Sequence, residues 1–203
     1  DDLIDFAYEN NIKTIAITDK AAMYNTLPFF KKANRAKIKP VIGVEFEIRK
    51  CGHKKVSVRL IAKNNNGYLS LIALTTKAWK NKTVPYLTFR DLDERGFGLF
   101  CILNTIEHCS MQEKQDLIIS LKDIFKTNLY IGLEPENKDF TEIIELSKKT
   151  SVGFVISNPV RCLKKEDVKS FDVYKTMLYP KQNVTLDTSG NIHLMNKSEL
   201  REA

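Results

Sequence analysis

Histidine is scarce: His53, His108 and His193 are the only three in 203 residues. A multinuclear zinc or manganese hydrolase gathers several imidazole and carboxylate ligands at one point. Here one histidine sits in a polar turn, one before a helix and one in the trailing segment, so none ends a core strand. No run of 18 apolar residues exists, and a membrane-spanning helix is excluded. A secretory signal needs a basic start and then an apolar run, whereas this chain opens on Asp1-Asp2. It also opens without Met, which reads as a piece of a longer chain. The four cysteines, Cys51, Cys101, Cys109 and Cys162, contain no CxxC pair, so neither a zinc ribbon nor a redox motif is indicated. Cys101 and Cys162 lie in or beside apolar strand-like runs. They read as buried free thiols in a reducing compartment, and a cytoplasmic location is expected.

The phosphate-binding signatures GxxxxGK[ST] and GxGxxG are missing, as is the GxSxG elbow. Gly96-Phe97-Gly98 precedes a strand, the wrong order for a dinucleotide fingerprint. Cys51 and His53 are too close in sequence, and too polar in surroundings, for a thiol protease pair.

Apolar residues are 43% of the chain, enough for a real core, and the length suits one ordinary domain. Lysine and arginine outnumber acids 32 to 25, a formal charge of +7, which favours contact with polyanions. Frequent Lys and Asn also follow from AT-rich coding DNA without any functional demand. The basic residues gather in two groups: Lys31, Lys32, Arg35, Lys37 and Lys39, then Lys50, Lys54, Lys55 and Arg59. Either group can touch a phosphate backbone. Neither has interleaved exposed aromatics, because Phe29 and Phe30 fit a core helix, and a solvated lysine face is the plainer account.

Short β-branched runs alternate with helix-like segments. Strands are predicted over 14–18, 41–46, 56–62, 98–103, 128–133 and 152–157. Helices are predicted over 3–9, 25–36, 68–79, 89–94, 111–125, 139–149 and 164–178. Leu27, Phe30 and Ala33, with Phe29 beside them, are the expected inner face of the second helix. Residues 50–55 form a turn between the second and third strands, which makes that pair a hairpin. Asn196 resembles an N-cap with Glu199 as its returning carboxylate. Repeated strand–helix units predict a mostly parallel α/β sheet with outer helices. One domain over 1–178 is expected, followed by a trailing segment over 179–203 leading toward another domain.

Such folds place ligands at the carboxyl ends of strands. Asp19, Glu45, Asn104, Glu134, Asn158 and Arg161 stand there. Asp19, Glu45 and Glu134 are oxygen donors of the type that suits a hard cation. Lys20 opposes that use, because an ammonium beside Asp19 repels a cation. Where no cation sits, Lys20 can neutralise the carboxylates itself, and Arg161 can do the same from the last strand. The alternative is that both side chains point to solvent.

Four segments together resemble the amino-terminal PHP (polymerase and histidinol phosphatase) domain of bacterial DNA polymerase III alpha subunits. They are Ile12 to Lys20 with Met23-Tyr24 and Phe29 to Ala33; Ile38 to Glu45; Leu60 to Leu71; and Ile156 to Leu163 with Lys165-Glu166-Asp167. Their order and spacing agree across nearly the whole chain. The resemblance implies a distorted seven-stranded, TIM-like α/β barrel with outer helices. Its first strand, bearing His-x-His, would lie upstream of Asp1.

Metal-binding members read Thr-Asp-His where this chain has Thr18-Asp19-Lys20, and Asn-Asp-Val-His where it has Asn158-Pro159-Val160-Arg161. Asp19 and Glu45 thus match ligand positions, while Lys20, Pro159 and Arg161 depart from them. The resemblance therefore implies a degenerate metal site without nuclease activity and without catalytic residues or cofactor in this stretch. Asp19 and Glu45 would be vestigial, and Lys20 and Arg161 would replace the cations. It further implies a parent DNA-directed DNA polymerase with Mg2+ in a downstream palm. The implied partners are the other domains of that polymerase, the DNA primer-template, and replisome subunits such as the sliding clamp. Two alternatives remain: an active metal-dependent phosphoesterase or 3′–5′ proofreading exonuclease, and a non-catalytic interaction module.

Overall fold

The computed structural model describes residues 2–49, 55–80, 83–104, 109–133, 140–158, 160–178, 192–195 and 199. The elements run α1 (Asp2–Glu9), β1 (Thr14–Ile17), α2 (Thr26–Arg35), β2 (Lys39–Arg49), β3 (Lys55–Ala62), α3 (Asn65–Trp79), α4 (Phe89–Arg95), β4 (Leu99–Leu103), α5 (Met111–Phe125), β5 (Leu129–Leu133), α6 (Thr141–Thr150), β6 (Gly153–Ile156) and α7 (Val168–Leu178). They divide into two compact units. The first comprises residues 1–132 and 141–155, and the second 133–140 and 156–203.

The strands form one sheet in the order β1-β2-β3-β4-β5-β6. The described residues therefore carry six strands where the resemblance implies seven. The sheet is also less parallel than expected. β1–β2 and β4–β5 are parallel, but the hairpin sets β3 antiparallel to both β2 and β4. Arg49 pairs with Lys55 next to the turn of that hairpin; the turn itself, with Cys51 and His53, lies outside the described residues.

Alternation along the strands sorts the two faces of the sheet in the first unit. Val44, Phe46, Ile48, Val56, Val58, Leu60, Leu99, Cys101 and Leu103 are buried in one cluster with Leu71, Leu74 and Ala78 of α3, Leu92 of α4, and Leu117, Ile118 and Leu121 of α5. The intervening positions Glu45, Glu47, Arg49, Ser57, Arg59 and Ile102 face the other way.

Local chemistry sets the helix starts. Ser110 accepts from the Glu113 N–H while the Glu113 carboxylate returns to Ser110, and Thr88 and Asp91 do the same for α4. Asn64 Oδ1 accepts from the Gly67 N–H at 3.0 Å, so α3 begins at Asn65, ahead of the start expected at Tyr68. Gly67 is required there: a Cβ would run into the carbonyl oxygen of Gly98, which itself has φ +72°.

The face of α2 is a correction. Thr26, Phe29 and Ala33 are buried, whereas Leu27 and Phe30 are 58% and 47% exposed. The i, i+3, i+7 row through Thr26 decides which phenylalanine meets the sheet. In α3, Ile72 is exposed for the same reason, and Gly67, Leu71, Leu74 and Ala78 face inward.

In the second unit, the Leu194 N–H donates to Cys162 O (3.0 Å) and the Arg161 N–H to Ile192 O (2.6 Å), tying the short piece at 192–195 to the segment before α7. The Asn196 cap lies outside the described residues.

Candidate functional site

The carboxyl end of β1 is fastened to β2 through a single residue. The Glu45 N–H donates to Asp19 O (3.1 Å), and Glu45 O accepts from the Ala21 N–H (2.8 Å). Lys20 thereby becomes the parallel partner of Glu45. The turn that follows places Ala21 at φ +47° and buries it. Trp79 at the end of α3 holds it there, its indole N–H donating to Ala21 O at 2.7 Å.

This pairing puts Lys20 on the face that carries Glu45 and Glu47. Lys20 Nζ lies 2.9 Å from Glu47 Oε1. Glu45 has a different partner. Arg59, its opposed residue in β3, approaches Glu45 Oε2 with Nε at 3.2 Å. Arg59 is only 8% exposed, so it belongs to this buried pair and not to a phosphate-facing surface. Two carboxylates and two cations thus alternate across β1, β2 and β3.

Around them the polar floor continues. The Asn104 N–H donates to Ser57 O (3.1 Å) and its Nδ2 to Ser57 Oγ (3.2 Å). The Arg49 guanidinium lies over the Tyr86 ring, 3.9 Å from its centroid. Asp19 is half-buried, and no hydrogen bond or ion pair reaches its carboxylate from the described residues. Burial pushes its pKa above the ordinary carboxylate value.

The remaining predicted residues lie elsewhere. Asn158, in the second unit, donates from Nδ2 to His193 O at 2.8 Å. Arg161 is exposed in that unit. His193 is buried, with Nε2 3.5 Å from Glu199 Oε1. Glu134, Pro159, His53, His108, Lys50 and Lys54 lie outside the described residues. Lys31, Arg35, Lys37 and Lys39 are exposed and Lys32 half-buried. Cys101 is fully buried, which raises its thiol pKa strongly, while Cys109 and Cys162 are half-buried.

Glu45 and Glu47 already face a guanidinium and an ammonium, respectively. Among the described residues, no three His, Cys, Asp or Glu side chains converge.

Two participants, Glu47 and Arg59, were not among the predicted site residues. A signal for Glu47 was present: Glu45, Glu47 and Arg49 recur at period two in an otherwise apolar strand. Arg59 needed the register of β3.

The PHP domain family matches residues 1–136. The chain belongs to the PHP domain family. Among curated proteins, this PHP chain is 24% identical to a DNA polymerase III subunit alpha of Halalkalibacterium halodurans over 86% of its own length. It is also 24% identical to that of Borreliella burgdorferi over 85%. It spans only 17% of the length of either relative. Among solved structures, an amidohydrolase from Chromobacterium violaceum with bound sulfate and no metal aligns with a TM-score of 0.56 at 9% identity. That alignment covers 76% of this chain and 79% of the other. The likeness is one of fold, and it agrees with a PHP-type α/β architecture.

Proposed function

We propose that the chain is the amino-terminal PHP region of a bacterial replicative DNA polymerase, a DNA polymerase III alpha subunit, acting as a platform without nuclease activity of its own. The observation that carries the second half is the pair of ion pairs, Lys20–Glu47 and Arg59–Glu45, which engage Lys20 and Glu45, two positions aligned with metal-site positions of the family. The first half is supported by the polymerase relatives.

In this reading Asp19 and Glu45 are vestigial ligands. Lys20 stands where a metal-binding member has an imidazole and keeps positive charge beside Glu47. Arg161, the other departure from the family's pattern, is exposed in the second unit and carries no part of this reading. Fixed cations and fixed anions in contact remove the need for a mobile cation, and they leave no open coordination position for an activated water. The region itself then needs no cofactor.

The parent would join deoxynucleoside triphosphates to a primer 3′ end with Mg2+ in its downstream palm. It would work in the cytoplasm with the other domains of the polymerase, the primer-template and replisome subunits such as the sliding clamp.

A primer-extension assay on the full-length parent, with matched and mismatched 3′ ends and added Mg2+ or Mn2+, tests both halves. Extension without excision of the mismatch is expected. Excision that is lost in Glu45→Gln would replace the platform reading with a live phosphoesterase. A folded parent that neither extends nor excises would overturn the polymerase reading.

A further inference from the structure

The exposed half of α2 is not idle surface. Leu27 and Phe30, left out of the core, form one wall of a groove of about 550 Å³ in the first unit. Tyr68 of α3 and Phe100 of β4, both half-buried, line it as well. Its charged residues are Lys39 and Lys63, and no Asp or Glu lines it. Lys63 is held in place: Nζ donates to Asn128 Oδ1 at 2.8 Å and sits 4.9 Å from the Phe100 ring centroid. Lys39 is exposed at the start of β2.

An occupant of this groove meets aromatic side chains flanked only by positive charge; Lys63 already covers one face of Phe100, which leaves Phe30 and Tyr68 as the rings to receive it. Planar apolar rings joined by anionic links complement that arrangement, and a single-stranded polynucleotide has this chemistry: bases stack on Phe and Tyr while phosphates meet lysine. A duplex cannot offer its base faces. The groove has the volume of a ligand-sized site, enough for a base and its attached phosphate rather than a long track. The chain's overall charge of +7 brings a polyanion to it. We infer that the Phe30–Tyr68–Phe100 groove, with Lys39 and Lys63 at its rim, binds a nucleotide of single-stranded DNA. Nothing in the groove depends on the chain being a polymerase region.

The test is fluorescence anisotropy of a labelled oligothymidylate titrated with the full chain at low salt. Binding is expected, with affinity falling about fivefold or more for each of Phe30→Ala and Tyr68→Ala. Removing Lys39 and Lys63 together should reduce the slope of log affinity against log salt by about 1.4. Leu27→Glu changes an exposed side chain and places an anion in the groove. It should weaken binding without altering the circular dichroism spectrum, which keeps the test sound if an aromatic variant misfolds. Three outcomes would overturn the proposal: no binding by the unaltered chain; equal binding by the aromatic variants and Leu27→Glu, which would mean diffuse electrostatics; or capture of an acidic, aromatic-bearing peptide in place of the oligonucleotide.

Discussion

Arg59 and Glu45 occupy directly opposed positions of β3 and β2, and the guanidinium Nε stands 3.2 Å from Glu45 Oε2. Both side chains are largely withdrawn from water, at 10% and 17% exposure. Coulomb attraction there is screened far less than at the surface. Breaking such a pair leaves a charge without its counterion, whereas removing both members can be nearly neutral.

Arg59→Met is therefore expected to cost about 3 kcal/mol in urea denaturation. The double variant Glu45→Gln/Arg59→Met should recover at least about 1 kcal/mol of that loss. Additive losses would mean that the two residues act independently and that no cation substitution operates at Glu45.

Asp19 behaves in the opposite way. Burial raises its folded pKa, and no described residue offers a counter-charge. The folded state then holds the proton to higher pH than the unfolded state does. The group's contribution to stability rises as pH falls through the folded pKa, and its charge is a net cost at neutral pH. Asp19→Asn should leave stability at pH 7 unchanged or slightly increased, and should remove that pH dependence. A loss of more than about 1 kcal/mol, the size of a typical hydrogen bond, would reveal a bound partner for the carboxylate.

Metal ions should not stabilise the fold. A ligand at about a hundred times its dissociation constant adds about 2.7 kcal/mol. For a domain of this size that is a shift of several degrees in Tm. Melting curves with millimolar Mn2+, with Zn2+ and with EDTA are expected to coincide. A clear rise with either ion, reversed by EDTA, would show that the carboxylates still accept a cation.

Acid should act first on the packing of α3 against α4. Lys77 Nζ reaches Asp91 Oδ1 at 2.8 Å and Glu94 Oε2 at 3.0 Å. For Asp91, burial works to raise the pKa, but the hydrogen bonds from Lys77 and Thr88 outweigh it and hold it below the ordinary value. Glu94 is lowered chiefly by its hydrogen bond with Lys77. Both carboxyls are depressed, so their stabilisation is complete above the unfolded carboxyl values, about 4. It is lost as pH falls through the folded ones. Lys77→Met should flatten the stability profile in that acidic window. Thr88→Ala, which removes the cap of α4, should cost about 1 kcal/mol at neutral pH and less in that acidic window, because the Thr88 hydroxyl helps hold the Asp91 pKa low.

The elements were largely legible because each is written locally. β-branched runs bounded by Asn, Gly and Pro mark the strands, and Thr88 marks a helix start by a hydrogen bond that closes within three residues, whereas the Asn64 cap, which starts α3 three residues before Tyr68, was not read. Asp19 was legible as a strand-end carboxylate for the same reason, whereas Glu45, expected at the end of its strand, sits inside β2, which runs on to Arg49. The face of α2 was not. Phe29 and Phe30 are equivalent in composition, and only the phase of the helix against β2 selects Phe29 for the core.

The sequence by itself determined the order of strands and helices, the charge of +7, and the presence of Lys20 beside Asp19 after the first strand. Tertiary structure alone decided that Lys20 neutralises Glu47, that Arg59 neutralises Glu45, and that Phe30, Tyr68 and Phe100 share one groove. The physical reason is separation along the chain. Lys20 and Glu47 are 27 residues apart, and Arg59 and Glu45 are 14 apart. Such partners are set by strand register, and a shift of one residue would turn each charge to the opposite face of the sheet.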